Sequence, residues 1–342
     1  MRVVTFGEIM LRLSPPGFGR FVQTDRFDVV YGGGEANVAA SLARFGTPAS
    51  FVSRVPKHEI GEAAIGYLRR AGVHTGFVAR GGDRLGIYFL ETGASQRPSK
   101  VIYDRAGSAF AGISPADVDW AMVFQGADWF HWTGITPATG PGPRATLEAA
   151  CRAARSAGLR ISCDLNYRAK LWSVEEARAT MIPLMEFVDV CIANEEDAFK
   201  CLGVETRASN PDSGRLDEAD YLDLARRIRE AFGFDLAAIS MRESFSATHN
   251  GWSAVLSDAT EHPDSIRSQI YDVHVVDRVG SGDAFAGGLI HALLSGQPHR
   301  DALEFAVAAS CLKHTIPGDF NAVSAAEVDN LVKSGGSGRV DR

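Results

Sequence analysis

Asp277-Arg278-Val279-Gly280-Ser281-Gly282-Asp283-Ala284-Phe285-Ala286-Gly287-Gly288 is the stretch whose reading decides the fold. It follows an apolar, strand-like run, Val273-His274-Val275-Val276, and leads into helically spaced Phe285, Leu289, Ala292 and Leu293. A glycine-rich turn that opens a helix gathers unpaired backbone N–H groups and the positive end of the helix dipole at one point. Such a point suits an anion, and a phosphate in particular. Gly280 and Gly282 permit positive φ and a close approach of ligand to backbone. Asp283 falls at or beside the N-cap, where capping alone can account for an Asp. A lone cap requires neither the two glycines nor Asp277, so the pattern favours a general base beside an anion hole. In that reading Asp283 takes the proton of a substrate hydroxyl as its oxygen attacks a γ-phosphate. The N–H groups of Gly280, Ser281 and Gly282 stabilise the transferred group.

A second glycine-rich helix start lies near the other end of the chain, at Tyr31-Gly32-Gly33-Gly34-Glu35-Ala36-Asn37-Val38-Ala39. Gly33 and Gly34 again allow a ligand against the backbone, and Asn37 brings an amide to the first turn for hydroxyl groups. Taken alone, a tight turn into a helix would explain it. With Asp277-x-x-Gly280-x-Gly282-Asp283, it resembles the paired signatures of the ribokinase-like (PfkB) carbohydrate kinases over about residues 1–333. Ser281 stands where that family usually has Ala.

The alternation of short apolar runs with amphipathic segments supports the same fold class. Strands are expected at 3–6, 50–55, 128–132, 161–165, 188–193, 236–240 and 273–276, and helices at 35–45, 59–71, 144–157, 173–185, 217–232 and 299–314. This order predicts an α/β fold with a mostly parallel central sheet and helices on both faces. Segments 11–31 and 77–105 fit neither pattern and are expected to meet as a small added sheet. The resemblance implies that this sheet is a lid over the sugar site and a contact between copies in a homo-oligomer, a dimer or larger. The tail at 334–342 reads as a flexible linker.

With 342 residues, 45% hydrophobic and 23% charged, the chain has the composition of a globular protein with ample core. A net charge of −7 argues against a general nucleic-acid or membrane-surface binder. Cys151, Cys163, Cys191, Cys201 and Cys311 are scattered without CxxC spacing, which predicts buried thiols in a cytoplasmic protein. The first residues pass directly into a strand-like run, and neither a signal peptide nor a transmembrane stretch is expected. Phe124, Trp129, Phe130 and Trp132 read as core.

The lid and mid-chain narrow the substrate. Tyr88, Tyr103 and Arg105 are polar tips of strand-like runs, and Arg168 follows Asp164-Leu165-Asn166-Tyr167 at a strand's C-terminal end, where open α/β sheets bind ligands. Arg105 and Arg168 together suit a carboxylate, although each alone is explained by a surface or structural ion pair. Gly-Gly-Gly-Glu-Ala-Asn, Ile-Tyr-Asp-Arg and Asp-Leu-Asn-Tyr-Arg resemble the branch acting on 2-keto-3-deoxygluconate. That resemblance implies that Gly34, Tyr88, Tyr103, Arg105 and Arg168 hold an acid sugar, and that ATP with Mg2+ phosphorylates its C6 hydroxyl. On the nucleotide side it points to Asn166, Asn194, Asp197, Arg242, Gly318 and Asn321, with Asp197 where Glu is usual and Arg242 in place of a Lys-x-Gly strand end. It also implies a K+ site at Asp277 and Val279. Alternatives are another sugar or sugar acid (fructose, ribose, 5-dehydro-2-deoxygluconate, 2-keto-3-deoxygalactonate) or a non-catalytic sensor. The retained Asp283 favours the enzyme.

Overall fold

The computed structural model describes residues 1–205 and 218–335. Its strands are β1 (Val3–Phe6), β2 (Met10–Ser14), β3 (Asp28–Gly32), β4 (Ala49–Val55), β5 (Val78–Arg80), β6 (Ile87–Glu91) and β7 (Lys100–Asp104). They continue with β8 (Trp129–Thr133), β9 (Arg160–Asp164), β10 (Val190–Ala193), β11 (Leu236–Ser246), β12 (His249–Asp258), β13 (Ile266–Arg267) and β14 (Tyr271–His274). The helices are α1 (Gly34–Arg44), α2 (Glu59–Arg70), α3 (Trp120–Phe124), α4 (Ile135–Ala138), α5 (Pro141–Ser156), α6 (Val174–Leu184) and α7 (Glu195–Asp197). After them come α8 (Glu218–Phe232), α9 (Ser281–Leu294), α10 (His299–Lys313) and α11 (Ala325–Ser334).

The large sheet runs β13-β12-β11-β10-β9-β8-β1-β4-β5, with β14 also paired to β12. From β11 through β5 neighbouring strands are parallel. β1, β8 and β10 are buried at every position, as parallel strands covered on both faces must be. The period of two divides β1 between two cores. Val3 packs with residues of α1, α2, α9 and α10, while Val4 and Phe6 pack with residues of α3, α5, α6 and α8. Phe124, Trp129, Phe130 and Trp132 lie in these cores, and all five cysteines are buried free thiols.

The strand order reverses at β1. The chain moves outward to β4 and β5, then resumes on the other side with β8. The crevice at such a switch point, beyond the C-terminal ends of the strands, is where ligands bind open α/β sheets. Over it stands a second sheet, β3-β2-β6-β7, made from the two segments that broke the sequence pattern. β5 is a correction: residues 78–80 were grouped with the added sheet but pair parallel with β4 at the edge of the large one. Another correction concerns the strand expected at 273–276, which is Tyr271–His274 and pairs antiparallel with β12. The expected strand at 236–240 extends to Ser246 because β11 and β12 form a long antiparallel hairpin. Residues 336–342 of the expected tail lie outside the described residues, and α11 ends at Ser334.

α9 is a helix of small residues for a packing reason. A Cβ at Gly287 would lie 2.7 Å from Cβ of Ser41 in α1, and one at Gly288 would lie 3.0 Å from Cα of Ala306 in α10. The Gly287-Gly288 pair therefore lets α9 sit close between its two neighbours, and it brings the two glycine-rich motifs side by side.

Candidate active site

Asp283 lies in the first turn of α9, half-buried, and its Oδ2 accepts a hydrogen bond from Nδ2 of Asn37 in α1 at 2.6 Å. The Asn37 amide is oriented in turn, since its Oδ1 accepts from the N–H of Gly33 at 3.2 Å. Desolvation pushes the Asp283 carboxyl up to about 6, with the Asn37 hydrogen bond and the Arg168 charge working in the opposite direction. A carboxyl poised there is ionised at neutral pH yet basic enough to take a proton. Gly280 precedes the helix at φ +82°, and a Cβ on it would collide with the Asp319 carbonyl oxygen. Around Gly282 the corresponding space is open, so a ligand can reach the backbone there.

A cleft of about 520 Å³ connects these groups. Gly33, Gly34, Asn37, Tyr88, Tyr103, Arg105, Asn166, Arg168, Asn194, Asp197, Arg242, Gly280, Ser281, Gly282 and Asp283 all line it. Gly318 and Asn321 lie outside this lining. The Gly318 N–H donates to Asp277, and Asn321 Oδ1 accepts from the Val323 N–H, while Nδ2 of Asn321 has no hydrogen-bond partner among the described residues. Ser240 and Trp252 also line the cleft without any motif to announce them, and so does Arg278, a residue of the glycine-rich stretch to which no role was given.

Four acidic residues line the cleft, Asp164, Asp197, Asp283 and Asp319. Asn194 caps α7 by accepting from the Asp197 N–H at 2.8 Å, and its Nδ2 donates to Asp197 Oδ2 at 2.8 Å. Asp197 also accepts from the Tyr167 N–H at 3.0 Å, which fixes the turn carrying Asn166 (φ +41°) and Arg168. Desolvation raises the Asp197 carboxyl to about 7 against the pull of Arg168. Asp164 is held well above its ordinary range by desolvation, then by the charges of Asp197 and Asp283. Carboxyls crowded in this way are short of positive charge. Their oxygen donors fit Mg2+ that arrives with nucleotide phosphates.

The small sheet supplies the opposite wall. Tyr88 and Tyr103 are cross-strand partners on β6 and β7, with ring centroids 6.0 Å apart. Arg105 donates through Nε to Glu8 Oε2 at 2.9 Å, with Nη2 on the same oxygen, while Oε1 of Glu8 has no hydrogen-bond partner among the described residues. Arg168 donates to the Tyr167 carbonyl at 2.8 Å. Both arginines reach one cleft, and Arg105 is braced there by a buried carboxylate that no motif revealed.

Asp277 is absent from the lining, and its carboxylate belongs to a buried network. Arg12 of β2 bridges Asp277 and Asp319 with contacts of 2.7 Å each, and the Tyr88 hydroxyl donates to Asp319. The small sheet is therefore tied to the loops that flank the anion hole. Away from the cleft lining, His249, Asp272 and His274 come together across β12 and β14, a grouping that linear spacing could not show.

A carboxylate next to a helix N-terminus, at the switch point of a doubly covered sheet and under a small second sheet, is the arrangement expected of a phosphoryl-transferring carbohydrate kinase. Residues 1–325 match the family described as pfkB family carbohydrate kinase, and the chain belongs to that family. Kinases of this family use ATP. The chain is 33% identical to a 2-dehydro-3-deoxygalactonokinase of Haloferax volcanii, covering 99% of each chain. It is 32% identical to a 2-dehydro-3-deoxygluconokinase of Thermoproteus tenax, over 97% of this chain and 94% of that one. The crystal structure of a 2-dehydro-3-deoxygluconokinase from Thermotoga maritima is 51% identical and superposes with a TM-score of 0.93, covering 98% of this chain and 100% of that chain.

Proposed function

We propose that this kinase transfers the γ-phosphoryl group of ATP to the C6 hydroxyl of 2-keto-3-deoxygluconate, giving 2-keto-3-deoxy-6-phosphogluconate. The observation that carries the reading is one cleft holding both the Asp283–Asn37 pair and two arginines, Arg105 and Arg168, in an otherwise acidic chain. A neutral sugar needs no such pair, whereas a carboxylate accepts from guanidinium groups with matched geometry. The 51% identity to the Thermotoga maritima protein supports the same substrate.

In this mechanism Tyr88, Tyr103, Arg105 and Arg168, with the backbone at Gly33 and Gly34, hold the acid sugar. Asn37 keeps the Asp283 carboxylate turned toward the C6 hydroxyl. Asp283 accepts the hydroxyl proton as that oxygen attacks the γ-phosphorus in line, and ADP leaves. The N–H groups of Gly280, Ser281 and Gly282 stabilise the charge on the transferred group, and Arg242, Asn166 and Asn194 serve the nucleotide. Mg2+ brought with ATP would neutralise phosphate charge, and Asp197 and Asn194 would be the protein groups to hold it. Closure of the small sheet keeps water from the γ-phosphate. Exposed Val29 and Ile102 on that sheet support pairing of two copies through it, which light scattering would test.

The H. volcanii relative favours one second reading, the C4 epimer 2-keto-3-deoxygalactonate. ADP release with Mg·ATP, measured for both epimers beside fructose and ribose, decides the matter. Preference for 2-keto-3-deoxygluconate is expected. Preference for its epimer would install the second reading, and preference for fructose or ribose would remove the arginine clamp.

A further inference from the structure

Asp277 and the turn behind it carry their own positive charges. Its Oδ2 accepts from Arg12 Nη2 at 2.7 Å and from the Gly318 N–H at 3.0 Å, and its Oδ1 accepts from the Val279 N–H at 3.1 Å. Its carbonyl oxygen accepts from Nζ of Lys313 at 3.4 Å, and the same ammonium donates to the Ile316 carbonyl at 3.0 Å. Lys313 is the last residue of α10 and is fully buried. A completely buried lysine is rare, because its charge must be met by oxygens that water no longer supplies. Here those oxygens are backbone carbonyls, the same donors that an alkali ion would use. Burial lowers the proton affinity of Lys313, while Asp277 and Asp319 act to keep the proton on.

The end of α10 is also joined to the anion hole at other points. Ser310 Oγ donates to the Ser281 carbonyl at 2.8 Å, and the His314 carbonyl accepts from the N–H groups of Val276 and Asp277 at 2.8 and 3.1 Å. The ammonium therefore sits at the base of the turn that presents the Gly280, Ser281 and Gly282 N–H groups, with the Arg12 guanidinium on the other side of Asp277.

We propose that Lys313, with Arg12, is a built-in monovalent cation for this kinase. Its ammonium group ties the Asp277 and Ile316 carbonyls together and places a fixed positive charge behind the anion hole. Phosphoryl transfer then needs no potassium. The K+ site expected at Asp277 and Val279 does not fit these residues, since the Asp277 carboxylate and carbonyl already serve protein cations. Lys313 is a positioning residue, acting through the backbone of the turn.

The inference rests on the kinase activity of the family and on no particular sugar. The test uses the full chain freed of alkali ions, with chloride salts of potassium, sodium, ammonium and tetramethylammonium at equal ionic strength. For the unmodified protein, kcat, KM for ATP and the melting temperature should agree among the salts within about twofold in rate. Selective activation by potassium beyond about fivefold would overturn the proposal. Lys313→Met should lose about tenfold or more in kcat in tetramethylammonium, and potassium or ammonium should restore part of the rate and raise the melting temperature. A variant impaired yet deaf to both ions would make Lys313 a structural tether only and also overturn it. Should Lys313→Met fail to fold, the unmodified protein's salt series decides alone. The melting series needs no sugar, so a mistaken substrate assignment cannot be confused with a failure here.

Discussion

Asp283→Asn isolates the proton-accepting role with little change of shape. The amide oxygen can still accept from Nδ2 of Asn37, which the carboxylate does at 2.6 Å, so the α1–α9 contact should survive. What disappears is the basic lone pair, and kcat should fall by at least about a hundredfold, the usual scale of a general-base effect. Stability should move the other way. Desolvation raises this carboxyl from 3.8 to about 6 in the folded protein. Ionising it there costs at most about 3 kcal/mol, reduced by the water that enters the open cleft. The folded state binds this proton more tightly than the unfolded chain, so the cost is absent below the unfolded value, grows as pH rises, and is complete above about pH 6. The neutral Asn avoids the cost, and at pH 7.5 its melting temperature should match or exceed that of the unmodified protein by a few degrees. Coupled ADP release and thermal unfolding on one preparation read both effects. An Asn variant within about tenfold of full kcat would refute the base assignment, and a large loss of melting temperature would make the carboxylate structural.

The same carboxyl sets the pH profile: kcat/KM should fall as pH drops through about 6, where Asp283 takes up its proton, and a rate flat to well below that value would exclude it. Gly280→Ala should cost more than about 2 kcal/mol, because it forces φ +82° on a side chain that meets the Asp319 carbonyl, whereas Gly282→Ala should melt normally and raise KM for ATP about tenfold or more. Equal melting temperatures for the two would contradict the geometry of the turn. Arg12→Met strands two buried carboxylates and should cost about 3–5 kcal/mol in denaturant unfolding; a loss below about 1 kcal/mol would deny the network its role. Arg105→Ala should both destabilise the protein, by unpairing buried Glu8, and raise KM for the acid sugar about tenfold or more. Adding Glu8→Leu should restore the melting temperature but not KM, and recovery of both would remove Arg105 from the sugar site.

What was legible in the sequence was local. The turn at Gly280–Gly282 carries its meaning in adjacent residues, and the alternation of apolar runs with helical spacing is enough to place most of the parallel strands. The β11–β12 hairpin runs past the expected strand end because the apolar run stops at Met241, with Arg242, Ser244 and Phe245 exposed beyond it. The network at the site escaped for a different reason. Arg12 meets Asp277 and Asp319 across 265 and 307 residues, and Arg105 meets Glu8 across 97, so no spacing rule joins them. Each is an ordinary charged residue until the fold buries it, and burial is the property that a single sequence states least clearly. Lys313 is an ordinary lysine in the sequence, and only its complete enclosure gives it a role.

The meeting of Ser41 with Gly287 carries a consequence for the life of the chain before it is finished. Asn37 and Asp283 are 246 residues apart in sequence, and their contact exists only when α9 has entered beside α1. A ribosome that has delivered the first two hundred residues has made Gly33, Gly34 and most of the parallel sheet, but neither the turn at Gly280–Gly282 nor Asp283. On the proposed mechanism a shortened product that ends before α9 lacks the means to spend ATP. Chemical competence then arrives late in synthesis, with the helix that also fills the space between α1 and α10.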